Sequence, residues 1–223
     1  MKSHPSKQNI KVAVDNCIFT IIDNELHVLL IQMKKAPYEG LWALPGGLIN
    51  QAEDFDKAAL RILKEETNVS DIYLEQLYTF GKANRDLLGR VISVAYFALI
   101  PSTSLELKTL PKYQAVKWWK YSELPKLAYD HNEIVKYAKQ RLEWKIEYTN
   151  VIWSLLPAKF SLHQLQKAYE AILGKNLDKR NFRKKIFALS LIQALGQKAM
   201  LGPHRPAELY KFKSKEPKIV KIL

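Results

Sequence analysis

A β-strand cannot run through Pro45-Gly46-Gly47, because proline has no ladder donor and the paired glycines open backbone angles that other residues avoid. The flanking pattern follows from that stop. Residues 11–22 and 26–33 are two β-prone apolar runs separated by Asp23-Asn24, which reads as a hairpin. Residues 54–67 place Phe55, Ala59, Leu60, Ile62 and Leu63 at helical spacing, with acidic residues crowding the first turn. Further β runs follow at 72–80, 90–100 and 114–119. Strands and helices in this order make an α+β domain.

Tyr129-Asp130-His131-Asn132 supplies a helix start, and 133–144 continues as a mixed helix able to connect two units. The boundary is expected at residue 146, giving units 1–145 and 146–223. The second unit reads as three short helices and a ribbon. The helices are 150–156, stopped by Pro157; 161–173, opened by the capping box Ser161-Leu162-His163-Gln164 and stopped by Gly174; and 178–189. Two strands, 192–195 and 209–212, flank the loop 196–206, as in the wing of a helix-turn-helix variant.

Charge separates the same two units. Residues 151–223 hold 15 Lys and Arg against 4 Asp and Glu, a net of +11 out of +13 for the whole chain. A solvated surface would spread that excess; concentrated in one unit, it is the footprint of a polyanion binder. In 177–189, Leu177, Phe182, Ile186 and Leu189 share one face and Lys179, Arg180, Arg183 and Lys184 the other, with Asp178 as cap. Lys179, Arg180 and Asn181 are residue types that contact phosphates and base edges, and they open the helix, the part that enters a major groove. His204 and Arg205 sit in the wing loop. The partner expected is double-stranded DNA. An RNA-binding role lacks the aromatic sheet motifs of RNA modules.

The lone Cys17 excludes an intrachain disulfide and fits a reducing cytoplasm. Residues 1–10 lack the apolar core of a signal peptide, and no stretch reaches the 18 or so apolar residues of a membrane span, so no membrane role is expected.

From Gly47 the chain reads GLINQAEDFDKAALRILKEETNV. This resembles the Nudix signature, with Gly47, Glu53, Arg61, Leu63, Glu65, Glu66 and Val69 at the required spacing, and with Ile62 and Asn68 departing from it. Positions 62, 65 and 66 lie three and four apart on one helix face, where carboxylates can hold a hard cation. The resemblance implies a metal-ligating glutamate at position 62, and isoleucine can neither ligate nor act as base. No catalytic residue and no required cofactor is therefore expected. Glu65 and Glu66 hold Mg2+ at most weakly, and ion pairs with Arg61 and Lys64 are the preferred reading.

With FGKANRDLLGRVISVAYFALI, LAYDHNEI, the segment from Leu156 through DKRNFRKK, and GPHRPAELYKF, the chain is similar over nearly its whole length to the NrtR-like family of Nudix-related transcriptional regulators. The resemblance implies a homodimer on a palindromic operator, released when an effector fills the Nudix domain. That effector is ADP-ribose or a relative in members governing NAD metabolism, and L-arabinose in a sister branch. Where the family typically carries Arg-Asp-Pro-Arg-Gly, this chain has Arg85-Asp86-Leu87-Leu88-Gly89, one arginine fewer.

Arg61, Arg85, Arg90, Glu53 and Glu66 are the expected effector contacts; a surface bridge from Arg85 to Asp86 is the bland alternative. Trp118 and Trp119 read as core or interface residues. His131 beside Asp130 suggests half a hydrolytic triad, but no serine or cysteine partner is indicated, and helix capping accounts for Asp130. The leading expectation is a ligand-responsive repressor with a degenerate Nudix sensor; the rival is an active ADP-ribose pyrophosphatase with an accessory nucleic-acid domain.

Overall fold

The structure, a computed structural model, describes residues 9–67, 72–101, 107, 109–200, 206–220 and 222. The first unit is a seven-stranded mixed sheet. Its central strand β1 (Lys11–Ile22) pairs with β2 (Glu25–Met33) in a hairpin, and Asp23 and Asn24 take the positive φ values (52° and 63°) that a tight two-residue turn demands. On its other edge β1 runs parallel to β6 (Val91–Leu99), which carries β5 (Tyr73–Phe80) as the outer strand. β3 (Trp42–Ala43) and β7 (Tyr113–Lys120) both pair with β2.

The proline-glycine-glycine run does end β3, but the two glycines do not stay outside the sheet. Gly46 and Gly47 open β4 (Gly46–Leu48), which pairs with Ala13–Asp15 of β1. The reason is space. A Cβ on Gly46 would stand 2.1 Å from Asp15 Oδ1 and 2.9 Å from Val14 O, so only glycine lets this strand approach.

Helix α1 (Phe55–Thr67) covers one sheet face, burying Ala58, Ala59, Ile62 and Leu63. Ile62 packs in an apolar cluster with Val14, Ala58, Ala59, Val94 and Tyr96. Trp118 and Trp119 pack against buried clusters, Trp119 edge-on to Trp42 at 5.3 Å between ring centroids, as expected for core residues.

Helix α2 (His131–Tyr148) lies across the opposite face and continues past residue 146, so the expected boundary falls within its last turn. Its Ile134, Val135, Ala138, Leu142 and Ile146 are buried in one cluster that also contains Phe19, Val28 and Phe97 of the sheet and Leu165, Tyr169, Phe182 and Ile186 of the second unit. That unit comprises a 3-10 helix (Val151–Leu155) within the short helix expected at 150–156, β8 (Phe160–Ser161), α3 (Leu162–Leu173), α4 (Lys179–Ala188), β9 (Ile192–Ala199) and β10 (Ala207–Phe212). Pro157 follows too closely for the α pattern to develop. The three strands form a small sheet in the order β8-β10-β9, of which only the wing strands were anticipated. The capping box at Ser161 and Gln164 forms as read, and α3 ends on Gly174 at φ 64°. Among the described residues no helix is long and apolar enough to cross a membrane.

Candidate functional sites: a sensor cleft and a basic helix

Between the mouth of β1, the β3-β4 corner and the loop joining β5 to β6 lies an open cleft enclosing about 840 Å³, solvent at its mouth included. Its walls are largely apolar: Ala13, Ile31, Met33, Leu44, Leu48, Leu88 and Val91, with Tyr113 and Tyr129 as broad faces. Apolar walls with a few convergent polar groups are the usual make-up of a small-molecule site. Tyr129 is held in the left-handed region at φ 56° and stacks against Tyr38, 4.0 Å between ring centroids. Strain of this kind in a non-glycine residue persists where the surroundings enforce it.

The polar floor is a buried network. Arg85 Nε and Nη2 grip the two Asp130 oxygens at 2.6–3.1 Å, and Nη2 also reaches Asp15 Oδ2 at 3.2 Å. Ser93 Oγ donates to the same Asp15 oxygen at 2.6 Å. His131 Nδ1 accepts from Leu44 N–H at 2.9 Å, which places the ring proton on Nε2, 3.4 Å from Asp15 Oδ2.

Burial alone would raise the Asp15 pKa. His131, the Arg85 charge and the hydrogen bond from Ser93 at its oxygens bring it down to about 2. A depressed folded-state carboxylate contributes stability that is present above its unfolded pKa and lost as pH falls through the folded one. About 2 kcal/mol should therefore disappear between pH 4 and pH 2, read as a falling urea midpoint, and Asp15→Asn should not show this increment. Gly46→Ala should cost about 1–3 kcal/mol in the same measurement, because its methyl group would overlap Asp15 Oδ1.

The expected contacts divide. Arg85 lines the cleft, but as a buried group paired with Asp130 and Asp15. The surface bridge to Asp86 does not form; Asp86 instead accepts from Tyr38 Oη at 3.1 Å and Leu88 N–H at 2.9 Å. Asp130 does not cap α2 with its side chain, since Arg85 takes the carboxylate. Arg90 is outside the wall and donates to Gly81 O at 2.8 Å. Arg61, Glu53 and Glu66 are also outside it. Arg61 holds Glu53 bidentately at 2.7 and 2.9 Å and Glu65 at 3.4 Å; Lys112, rather than Lys64, stands by Glu65 and Glu66 at 3.2 and 3.4 Å. Burial raises the Glu66 pKa against the opposing pull of Tyr113 and Lys112.

Sequence reasoning missed Asp15, Ser93, Tyr129 and His131 as parts of the site. One signal was available: Asp15-Asn16 interrupts an apolar strand, and buried polar groups need partners.

The second site is α4. Asp178 caps it, accepting from Asn181 N–H at 2.8 Å, while Phe182 and Ile186 face inward. Lys179, Arg180, Asn181 and Lys184 are exposed, and Arg183 is half-buried. The turn before α4 is pinned by Glu170, which accepts from Leu177 N–H at 3.0 Å, Gln166 Nε2 at 2.9 Å and Lys167 Nζ at 2.7 Å. Despite its burial, those donors lower the Glu170 pKa to about 2. The start of α4 is thus tied to α3 through Glu170. His204 and Arg205 lie outside the described residues.

Comparison with known proteins matches both units of the chain. The NUDIX domain family matches residues 12–139, and the NrtR DNA-binding winged helix domain matches 152–212. The ADPR responsive transcriptional repressor NtrR of Acinetobacter baylyi is 36% identical over 205 residues, 90% of this chain and 81% of that protein. The crystal structure of Shewanella oneidensis NrtR complexed with a 27mer DNA superposes with a TM-score of 0.81 at 35% identity, over 91% of this chain and 93% of that one. The NUDIX domain of the same Shewanella protein, complexed with ADP ribose, matches 63% of this chain and 94% of its own at 35% identity, with a TM-score of 0.55. With a Nudix fold, a winged helix and a relative aligned through both, the chain belongs to the NrtR family of Nudix-related transcriptional regulators.

Proposed function

We propose that this protein is a transcriptional repressor that binds a palindromic operator as a homodimer and lets go when ADP-ribose fills the sensor cleft. The observation that carries the reading is the joining of two sites on one core: an open, tyrosine-walled cleft over a buried arginine, and a capped helix with exposed Lys179, Arg180, Asn181 and Lys184. The repressor named for ADP-ribose and the DNA-bound Shewanella structure support it. In the cleft, Arg85 and Lys11 are the cations for a diphosphate, and the tyrosine faces suit a base or sugar. Arg61 and Glu53 pair with each other at the box helix, and neither they nor Glu66 line the cleft.

The domain acts as a sensor and not as a hydrolase. Nudix hydrolysis relies on a divalent cation, and the donor set here does not fit one. Ile62 fills the place of a carboxylate, Glu53 is taken by Arg61, and Lys112 already stands beside Glu65 and Glu66. Among the described residues no three metal-ligating side chains converge.

The test is a gel shift on operator DNA, selected from a random library, with ADP-ribose, NAD, phosphoribosyl pyrophosphate and L-arabinose added in turn. Release by ADP-ribose alone is the expected result. Release by L-arabinose alone would reassign the cleft to a sugar, and no operator selected at moderate salt would remove the repressor reading.

A further inference from the structure

We infer that Asp130, gripped by Arg85, is the positioning residue that ties the state of the cleft to the orientation of the DNA-binding unit. This rests on the reading of the cleft as the effector site. The geometry has three parts. First, the Arg85 guanidinium is shared: Nε and Nη2 hold Asp130, and the same group forms the floor of the cleft. An anion entering the cleft competes for a cation that two buried carboxylates already use.

Second, Asp130 has another place to go. It stands at the N-cap of α2, where an aspartate ordinarily accepts from the first-turn amides, yet its side chain makes no cap hydrogen bond. Released from Arg85, the carboxylate can turn onto those amides, at the positive end of the helix dipole. Two alternative partners for one buried carboxylate make a two-state element that both sites can bias.

Third, α2 reaches the other unit. Its inner face shares a core with α3 and α4. Its last turn holds the chain's final segment, Tyr148 O accepting from Val220 N–H at 2.8 Å and Glu147 O from Ile222 N–H at 2.8 Å. A shift of the α2 start relative to the sheet is carried to the frame on which α4 is mounted.

Asp130→Asn tests this in the full chain, because the amide keeps the shape and drops the charge that holds Arg85. Without effector, it should bind operator at least tenfold more weakly than wild type. It should bind ADP-ribose several-fold more tightly by calorimetry, since Arg85 is freed, and its operator affinity should change less than twofold when ADP-ribose is added. Opposite changes at the two sites are what mere structural damage would not give. Operator affinity equal to wild type, or weakening at both sites, overturns the latch. If Asp130→Asn does not fold, Asp130→Ser, which also drops the charge that holds Arg85 and leaves Arg85 in place, is judged on the same readings. A wild-type chain indifferent to ADP-ribose overturns the reading of the cleft instead, and the latch is then decided by the effector-free operator affinity of the variant.

Discussion

Raising the salt from 50 to 200 mM is expected to weaken operator binding on the order of a thousandfold. Each phosphate neutralised by lysine or arginine releases condensed counterion, and the logarithm of affinity falls with a slope of about 0.9 per contact. Six contacts suffice for the stated loss. The terminal 73 residues carry +11 of the chain's +13, and Lys179, Arg180 and Lys184 stand exposed on α4 while Phe182 and Ile186 anchor it from behind. Fluorescence anisotropy on an operator duplex at four salt concentrations gives the slope directly. A slope shallower than about two would mean that the basic surface is ordinary solvated charge. On the same duplex, Arg180→Ala or Asn181→Ala should cost about 1–3 kcal/mol of discrimination against random sequence, whereas Lys184→Ala, a turn further in, should weaken both about equally.

ADP-ribose is expected to leave the cleft intact, with turnover orders of magnitude below about 1 per second, an ordinary enzymatic rate. Hydrolysis needs a metal-held, activated water, and losing acidic ligands removes what would lower the pKa of that water. Ile62 is only 1% exposed and packs on Val14, Val94 and Tyr96. A carboxylate there would be surrounded by hydrocarbon, so Ile62→Glu should lose stability without restoring turnover. Release of AMP with Mg2+, followed beside ADP-ribose binding, is the measurement. Wild-type turnover near 1 per second would make the chain a working pyrophosphatase with a DNA-binding appendage.

Local chemistry was legible in the sequence, and contacts across the fold were not. The hairpin at Asp23-Asn24, the cap at Asp178, the box at Ser161 and the stop at Gly174 each depend on a few consecutive residues, and each forms as read. β8, only two residues long, has no periodicity to detect. Asp130 was misjudged because its identity suits a helix cap, and nothing nearby reveals that Arg85, 45 positions away, would claim it. Asp15 and His131 are separated by 116 residues and meet only because β1 and α2 lie against each other. Gly46 looked like a strand terminator because the demand of the Asp15 side chain for its missing Cβ arises only from the β1-β4 register.

The single hydrophobic cluster that runs from the sheet through α2 into the winged helix bears on how such a regulator can be rebuilt. A designer wishing to give this reader of DNA a new sensor would naturally cut where the sequence changes character, near residue 146. That cut severs α2 in its last turn and strips Leu165, Tyr169 and Phe182 of the neighbours that keep them dry. The transferable module begins upstream, in the stretch 124–126 that belongs to no helix or strand before α2, and even then any replacement sheet must present an apolar face shaped to that helix. In this architecture the helix belongs to both partners, and exchanging one means redesigning the surface of the other.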